Sequence, residues 1–219
     1  MARMARIVAA GYPHHVTQRG NRRQETFFCD DDYREYIGLM SHWCGENGVE
    51  IWGYCLMPNH VHLIAVPGGK ENLAKAIGEA HRRYTRYINF REGWRGYLWQ
   101  GRFASYVMDQ KHLIAAARYV ELNPVRANLV RHPADYQWSS ARAHLSGKDD
   151  DLAAVKPLLG MVPDWGRLLS SGMAEEDVAA IKKHSRTGRP MGDSAFLDRI
   201  EELSGRQVRP KKSGPKPKN

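Results

Sequence analysis

Leu56-Met57-Pro58-Asn59-His60-Val61-His62-Leu63-Ile64-Ala65-Val66 is the stretch whose reading decides the fold. Side chains alternate across a strand with period two. If the segment after Met57-Pro58-Asn59 is a strand, His60 and His62 leave the same face side by side. Val61, Leu63 and Ala65 then fill the opposite face. Two imidazoles held on a rigid strand make half of a metal site.

Working outward, Val49 to Leu56 reads as a second strand before the histidine strand, and Pro67-Gly68-Gly69 turns the chain after it. Upstream, His14 to Arg19 is a short strand followed by the polar loop Gly20-Asn21-Arg22-Arg23-Gln24. Asp30-Asp31-Asp32 supplies the acidic first turn of a helix through Tyr33, Tyr36, Ile37, Met40 and Trp43–Cys44, stopping around Gly45 to Gly48. Downstream, Leu73, Ile77, Ala80, Tyr84 and Ile88 recur at helical spacing, with Lys75, Arg82, Arg83 and Arg86 on the other face. Phe103 to Met108 is a fourth strand, and His112 to Leu122 an alanine-rich third helix. The order strand-helix-strand-strand-helix-strand is the split βαβ arrangement of an α+β fold, ferredoxin-like or RNA-recognition-like, around a central antiparallel sheet. The first and third strands are then central, two helices cover one face, and the third helix approaches the other.

The chain of 219 residues suffices for one good-sized domain or a domain with an appendage. Residues 1–148 read as the main unit. Asp149-Asp150-Asp151 marks a boundary before a small helical extension over 149–205, whose best helices are Ala174 to Lys183 and Phe196 to Leu203. Residues 206–219 hold six basic residues, no acidic ones and three prolines, the composition of a disordered basic tail. The net charge is +9 and the pI about 9.6, which favours a polyanionic partner, nucleic acid first. No apolar run reaches membrane-spanning length, and the first ten residues read as a leading strand or arm, not a signal peptide. Cys29, Cys44 and Cys55 are odd in number, widely spaced and without Cys-x-x-Cys, the pattern of free thiols in a reducing cytoplasm.

A second group of residues has chemistry matching the histidine pair. Tyr119 and Asn123 lie four apart on the third helix and share a face, and Pro124 should end or kink the helix at Asn123. Laid on the histidine face, they complete a shell of two imidazole nitrogens and one amide oxygen, with positions left for phosphate oxygens and water. That mixed shell suits Mg²⁺ or Mn²⁺ better than zinc. A phenol beside a phosphate-bound divalent ion is a possible nucleophile, although a free pKa of ~10 leaves little phenolate at neutral pH. Glu121, one residue past this face, is expected in solvent or in a local ion pair, and is a reserve ligand should Asn123 not serve.

Five ordered blocks carry a family resemblance: Thr17-Gln18-Arg19-Gly20-Asn21-Arg22-Arg23-Gln24, Met57-Pro58-Asn59-His60-Val61-His62, Leu98-Trp99-Gln100-Gly101-Arg102-Phe103, Tyr119-Val120-Glu121-Leu122-Asn123-Pro124-Val125-Arg126 and Tyr136-Gln137-Trp138-Ser139-Ser140. With them, roughly residues 7 to 145 resemble the REP-associated tyrosine transposases, within the HUH single-strand DNA endonucleases and related to the single-tyrosine insertion-sequence transposases. The resemblance implies that Tyr119 is the nucleophile, that His60 and His62 are metal ligands, and that Asn123 is the third. It implies cleavage of single-stranded DNA near a hairpin formed by a repeated extragenic palindrome, leaving a 5′-phosphotyrosine and a free 3′-OH that can rejoin by reverse attack. No nucleotide cofactor is then needed. A monomer is favoured, with a dimer as the alternative, and the expected location is the cytoplasm, with the nucleoid.

A single-strand nuclease needs cations for phosphates and flat side chains for bases. The candidates for DNA contact are Arg19, Asn21 and Arg23 in the loop after the first strand, Arg82, Arg83 and Arg86 on the second helix, Gln100 and Arg102 before the fourth strand, and Arg126 at the end of the third helix. Trp99 is a possible stacking platform, with core packing as its alternative. Thr187-Gly188-Arg189-Pro190 resembles the Gly-Arg-Pro core of minor-groove hooks and adds Arg189. Three other readings remain open: a hairpin-binding regulator without catalysis, an RNA-binding module of the RNA-recognition type, and a metal-assisted hydrolase in which water replaces Tyr119.

Overall fold

The computed structural model describes residues 4–209. Four strands form one antiparallel sheet: β1 (His14–Arg19), β2 (Val49–Met57), β3 (His60–Pro67) and β4 (Ala104–Val107), in the order β2-β3-β1-β4. The first and third strands are central, as the split βαβ order requires. The Pro58-Asn59 turn pairs Met57 with His60, so β2 and β3 form a hairpin. β1 then lies against β3 with Thr17 opposite His62 and Arg19 opposite His60.

That register sorts the side chains. Val16, Leu56, Val61, Leu63 and Ala65 point to one face, where they pack with Tyr36, Met40, Leu73, Ile77, Tyr84 and Ile88 of α1 (Asp30–Glu46) and α2 (Asn72–Glu92). Asp32 ties this layer together: it is buried, closes the α1 N-terminus by accepting from the Phe28 and Cys29 amides, and takes the Arg91 guanidinium of α2. Cys55, Met57, Ile64 and Tyr106 point to the other face, with the histidines. There they meet α3 (Gln110–Arg126), α5 (Lys156–Met161), α6 (Trp165–Ser170) and α7 (Glu175–Thr187). The short α4 (Ala141–Ser146) borders β2, where Ser140 Oγ accepts from the Tyr54 amide. No helix among the described residues is long and apolar enough to cross a membrane.

Two expectations are corrected. Pro124 does not end α3 at Asn123, because the helix continues to Arg126. Pro124 lies in the last turn, so the missing N–H removes one bond near the terminus, and the Ala127, Asn128 and Leu129 amides close the end on Asn123, Val125 and Pro124 carbonyls. At the expected boundary, Asp150 accepts from the Tyr54 hydroxyl and from the Leu152 and Ala153 amides, and Leu158, Trp165 and Val178 join the core beneath α3. Arg206 to Arg209 do not begin a detached tail. Val208 is buried with Ile7, Ala9 and Ile200 of α8 (Ser194–Ser204), and Arg206 bonds the Ala5 carbonyl. The remainder of the expected tail, 210–219, lies outside the described residues.

Candidate active site

His60 and His62 stand on the same face of a central strand with ring centroids 5.0 Å apart. α3 crosses that face and brings the Tyr119 ring to 5.6 Å from His62, nearly perpendicular to it at 82°. Asn123 follows one turn later, and its Nδ2 is buried without a hydrogen-bond partner. Orphaned buried amides are costly. This one lies one helical turn from the Tyr119 phenol, and an acceptor such as a phosphate oxygen would satisfy it, leaving Oδ1 as the atom that could meet a cation.

Each histidine is held by its Nδ1. His60 Nδ1 lies 2.6 Å from Asn59 Oδ1, and Asn59 is itself oriented because its Nδ2 donates to the Arg23 carbonyl at 3.1 Å. His60 therefore donates through Nδ1 and keeps its Nε2 lone pair. His62 Nδ1 lies 2.9 Å from His15 Nε2, and His15 Nδ1 lies 3.0 Å from the Tyr106 hydroxyl. If His62 is to ligate through Nε2, this chain has one direction: His62 Nδ1–H donates to His15, and His15 Nδ1–H donates to the Tyr106 oxygen. Such outer partners commonly fix the tautomer and angle of a metal-binding imidazole.

Burial, with a smaller contribution from Arg19, pulls the His60 pKa down to about 3. Burial, reinforced by His60, His15 and Arg19, holds His62 well below the usual imidazole range. Both rings are neutral near pH 7, the state a ligand requires. Burial raises the Tyr119 pKa, whereas Arg126, Arg19 and the neighbouring Asn123 amide oppose the rise. The phenol is 6% exposed. It is enclosed with its ring against those of His62 and His15, and Arg126 and Arg19 act against the effect of burial.

The donor set fits a hard divalent cation. Two neutral imidazoles and one carboxamide supply nitrogen and oxygen without a thiolate. Among the described residues no three His, Cys, Asp or Glu side chains converge on one point, so the set depends on Asn123. Glu121 is not the reserve ligand and is not in solvent. It is buried beneath α3, where its carboxylate accepts from Ser140 Oγ at 2.6 Å, lies 2.6 Å from His144 Nδ1 and accepts from Trp165 Nε1 at 2.7 Å. Its work is to anchor the helix that carries Tyr119.

The other candidates divide. Arg19 is half-buried on the histidine face, opposite His60. Asn21 and Arg23 lie in the adjoining 3₁₀ turn, where Arg22 and Arg23 adopt left-handed φ values of 52° and 63°. Gly20 opens that turn, and a Cβ there would sit 2.2 Å from the Gln24 carbonyl oxygen. Gln100 is exposed beside this loop, its amide bonded to the Arg19 carbonyl, and Arg102 is exposed two residues on. Arg126 pairs with Glu175 at 3.2 Å at the end of α3. Arg82, Arg83 and Arg86 lie on α2, on the opposite side of the sheet from Tyr119, and Arg82 and Arg83 are paired with Glu79. Arg189 does not project as a hook, because its guanidinium donates to the Val208 carbonyl. Trp99 is buried against His81 and is no open platform. The sequence reading missed His15 and Tyr106. Both share the histidine face, but only the β1–β3 and β1–β4 registers place them beside His62.

Comparison with known proteins bears on the fold and the family. A solved structure of the REP-associated tyrosine transposase bound to a REP hairpin superposes with a TM-score of 0.58 at 20% identity, over 70% of this chain and 92% of that one. A putative transposase from Deinococcus radiodurans R1 is a looser likeness, with a TM-score of 0.38 and 17% identity over 55% of this chain and 96% of that one. No curated protein matches the chain. The family described as "Transposase IS200 like" matches residues 8–123, more than half of the chain and the whole of the segment from β1 to Asn123. On that match, the chain belongs to the IS200-like transposases.

Proposed function

We propose that this transposase is a metal-dependent single-strand DNA endonuclease and strand transferase that acts at hairpin repeats of the REP type through Tyr119. The observation that carries the reading is the meeting of the Tyr119 ring with His62 at 5.6 Å, with Asn123 one helical turn beyond it. His60, His62 and Asn123 would hold Mg²⁺ or Mn²⁺, which supplies Lewis-acid polarisation of the scissile phosphate.

The chain's own groups do the rest. Arg19 and Arg126 neutralise phosphate charge near the phenol and favour its ionised form. The Tyr119 oxygen attacks phosphorus, the bond to the 3′ oxygen breaks, and that oxygen leaves as a 3′-OH. The proton lost by the phenol is matched by the one the 3′ oxygen gains. The phosphodiester is exchanged and not hydrolysed, so the reverse attack by a 3′-OH rejoins strands without a nucleotide cofactor. Asn21, Arg23, Gln100 and Arg102 lie on loops at the same end of the sheet, where an unpaired strand leaving a hairpin would be gripped. The reading takes the protein as a monomer using its own tyrosine, because Tyr119 already faces the histidines of its own chain.

The test is to incubate labelled hairpin DNA carrying single-stranded flanks with the protein and Mn²⁺. A denaturation-resistant protein–DNA adduct, lost in Tyr119→Phe and in metal chelator, is the expected result. Binding without an adduct under any divalent ion would leave a hairpin-binding protein instead, and turnover without an adduct would leave a hydrolase.

A further inference from the structure

The largest exposed aromatic side chains lie away from the Tyr119 face. Phe90 is 91% exposed, Tyr97 86% and Trp94 45%, all within eight positions at the end of α2 and in the loop after it. Two adjoining clefts, of about 540 and 690 Å³, meet at Arg82 and Thr85 and together run along α2 past these rings. Arg82, Arg86 and Phe90 are spaced by four, so one helical stripe passes from cations to an aromatic ring. Arg86 and Arg95 make no ion pair among the described residues, whereas Arg82 is shared with Glu79.

We infer that this groove is a track for unpaired DNA, its bases stacked on Phe90, Trp94 and Tyr97 and its phosphates met by Arg86 and Arg95. Three observations support that occupant. Exposed rings interleaved with unpaired guanidiniums match the alternating chemistry of a single strand, whose bases all present a π face and whose phosphates are all anionic. The platform is already built: Phe28 sets its edge against Trp94 at 5.7 Å, the Trp94 amide bonds the Asn89 carbonyl at 2.8 Å, and Asn89 Nδ2 donates to the Gly96 carbonyl at 3.0 Å. The loop is also continuous with the candidate active site. The Asn21 amide bonds the Leu98 carbonyl at 2.7 Å, the Gln100 amide bonds the Arg19 carbonyl at 2.9 Å, and Gly20 bridges Trp99. A strand crossing the Arg19 end of β1 toward His60 therefore has this loop as its next surface. The inference rests on the DNA reading above and adds where the single-stranded flank travels.

The test uses the full chain in chelator, so that no cleavage intervenes. Fluorescence anisotropy compares a blunt hairpin with the same hairpin extended by oligo-dT on its 5′ or its 3′ side. The wild type is expected to prefer one extended hairpin. The Phe90→Ala/Trp94→Ala/Tyr97→Ala variant, altered only at exposed rings, should lose tenfold or more of the affinity for that hairpin and none for the blunt one. Trp94→Phe should retain most of the preference. Arg86→Gln and Arg95→Gln should each make the salt dependence shallower by roughly 0.7. A wild type indifferent to the extension overturns the track while leaving hairpin recognition intact, as does a triple variant that keeps its preference. A concentration-dependent dimer abolished by the triple variant assigns the rings to a second copy and overturns it too. Failure to bind any hairpin removes the DNA reading and the track together.

Discussion

Both faces of the sheet bury histidines, and the two sets are completed in different ways. On the α1/α2 side His14 uses both ring nitrogens, accepting from the Ala9 amide at 3.2 Å and meeting the Tyr12 carbonyl at 2.8 Å. His81 meets the Tyr36 hydroxyl at 2.9 Å and packs on Trp99. On the α3 side His60 and His62 are bonded only through Nδ1, with Nε2 uncommitted among the described residues and Tyr119 alongside. His14, with both nitrogens engaged, and His81, sealed among Tyr36, Trp99 and Phe103, serve the fold. His60 and His62 are oriented through Nδ1 beside Tyr119, and their Nε2 atoms are available for chemistry.

The sharpest way to break this contrast is a paired substitution. His62→Ala should leave the unfolding midpoint within a few degrees of wild type and remove on the order of a thousandfold of adduct formation, the several kcal/mol that an oriented divalent ion contributes. His81→Ala should do the reverse. It leaves the Tyr36 hydroxyl unpaired and a void between α1 and α2, costing about 3 kcal/mol, while the folded fraction keeps its chemistry. Thermal melts and single-turnover adduct assays on both variants decide it. Equal losses of stability in the two would erase the distinction.

How much of this was legible in the sequence follows from the range of each interaction. Period-two alternation is local, so the shared face of His60 and His62 could be read directly, and the order of elements placed that strand in mid-sheet. α1, α2, α7 and α8 were found from spacing and turn residues within a few positions of their observed ends. Glu121 was misread because a helical wheel knows only its own helix. Its partners Ser140, His144 and Trp165 arrive from α4 and α6 or their starts, far along the chain. Trp99 was open to misreading for a similar reason: its burial depends on a bridge to Gly20 and on His81 of α2. The exposed Phe90, Trp94 and Tyr97 carry no periodic signal, because two of the three lie in a loop.

His15 provides the next sharpening, since it lies on the chemical face yet has both nitrogens engaged. If it serves only to aim His62, His15→Ala should weaken Mn²⁺ binding tenfold to a hundredfold, the usual cost of losing an outer partner. Titration calorimetry without DNA measures this directly. Tyr106→Phe keeps the ring and loses only the hydroxyl, and should fall between the wild type and His15→Ala. Unchanged Mn²⁺ affinity in His15→Ala would move His15 to the structural class with His14.

Acid tests the structural histidines. Burial lowers the pKa of His14 to about 4 and of His81 to about 3, against an ordinary 6.5. Between those values and 6.5 the unfolded chain binds protons that the folded chain refuses, so stability falls as pH drops through that window. A fully buried histidine loses about 2 kcal/mol between pH 6.5 and 4.5, at 1.36 kcal/mol per unit. His81→Gln has no such proton to bind. The stability gap between wild type and His81→Gln, measured by urea unfolding, should therefore narrow by about 2 kcal/mol over that range. A gap independent of pH would mean that His81 is not kept neutral by the fold.

The smallest expected effect concerns charge on the α3 face. In the proposed site His60, His62 and Asn123 would all be neutral donors, so the anionic share of the ion's shell would come from DNA phosphate. The ion should then bind weakly alone and more tightly with the hairpin, which would limit cleavage to the complex. Asn123→Asp moves one negative charge into the protein set. Because cation affinity follows the number of charged ligands, Mn²⁺ binding without DNA should tighten by roughly threefold to tenfold, and the gain in metal affinity on adding DNA should shrink correspondingly. The new carboxylate also opposes ionisation of Tyr119 one helical turn away, so adduct formation should slow even as the ion binds better. Metal affinity and rate moving in opposite directions in one variant is a result that a purely structural Asn123 could not produce.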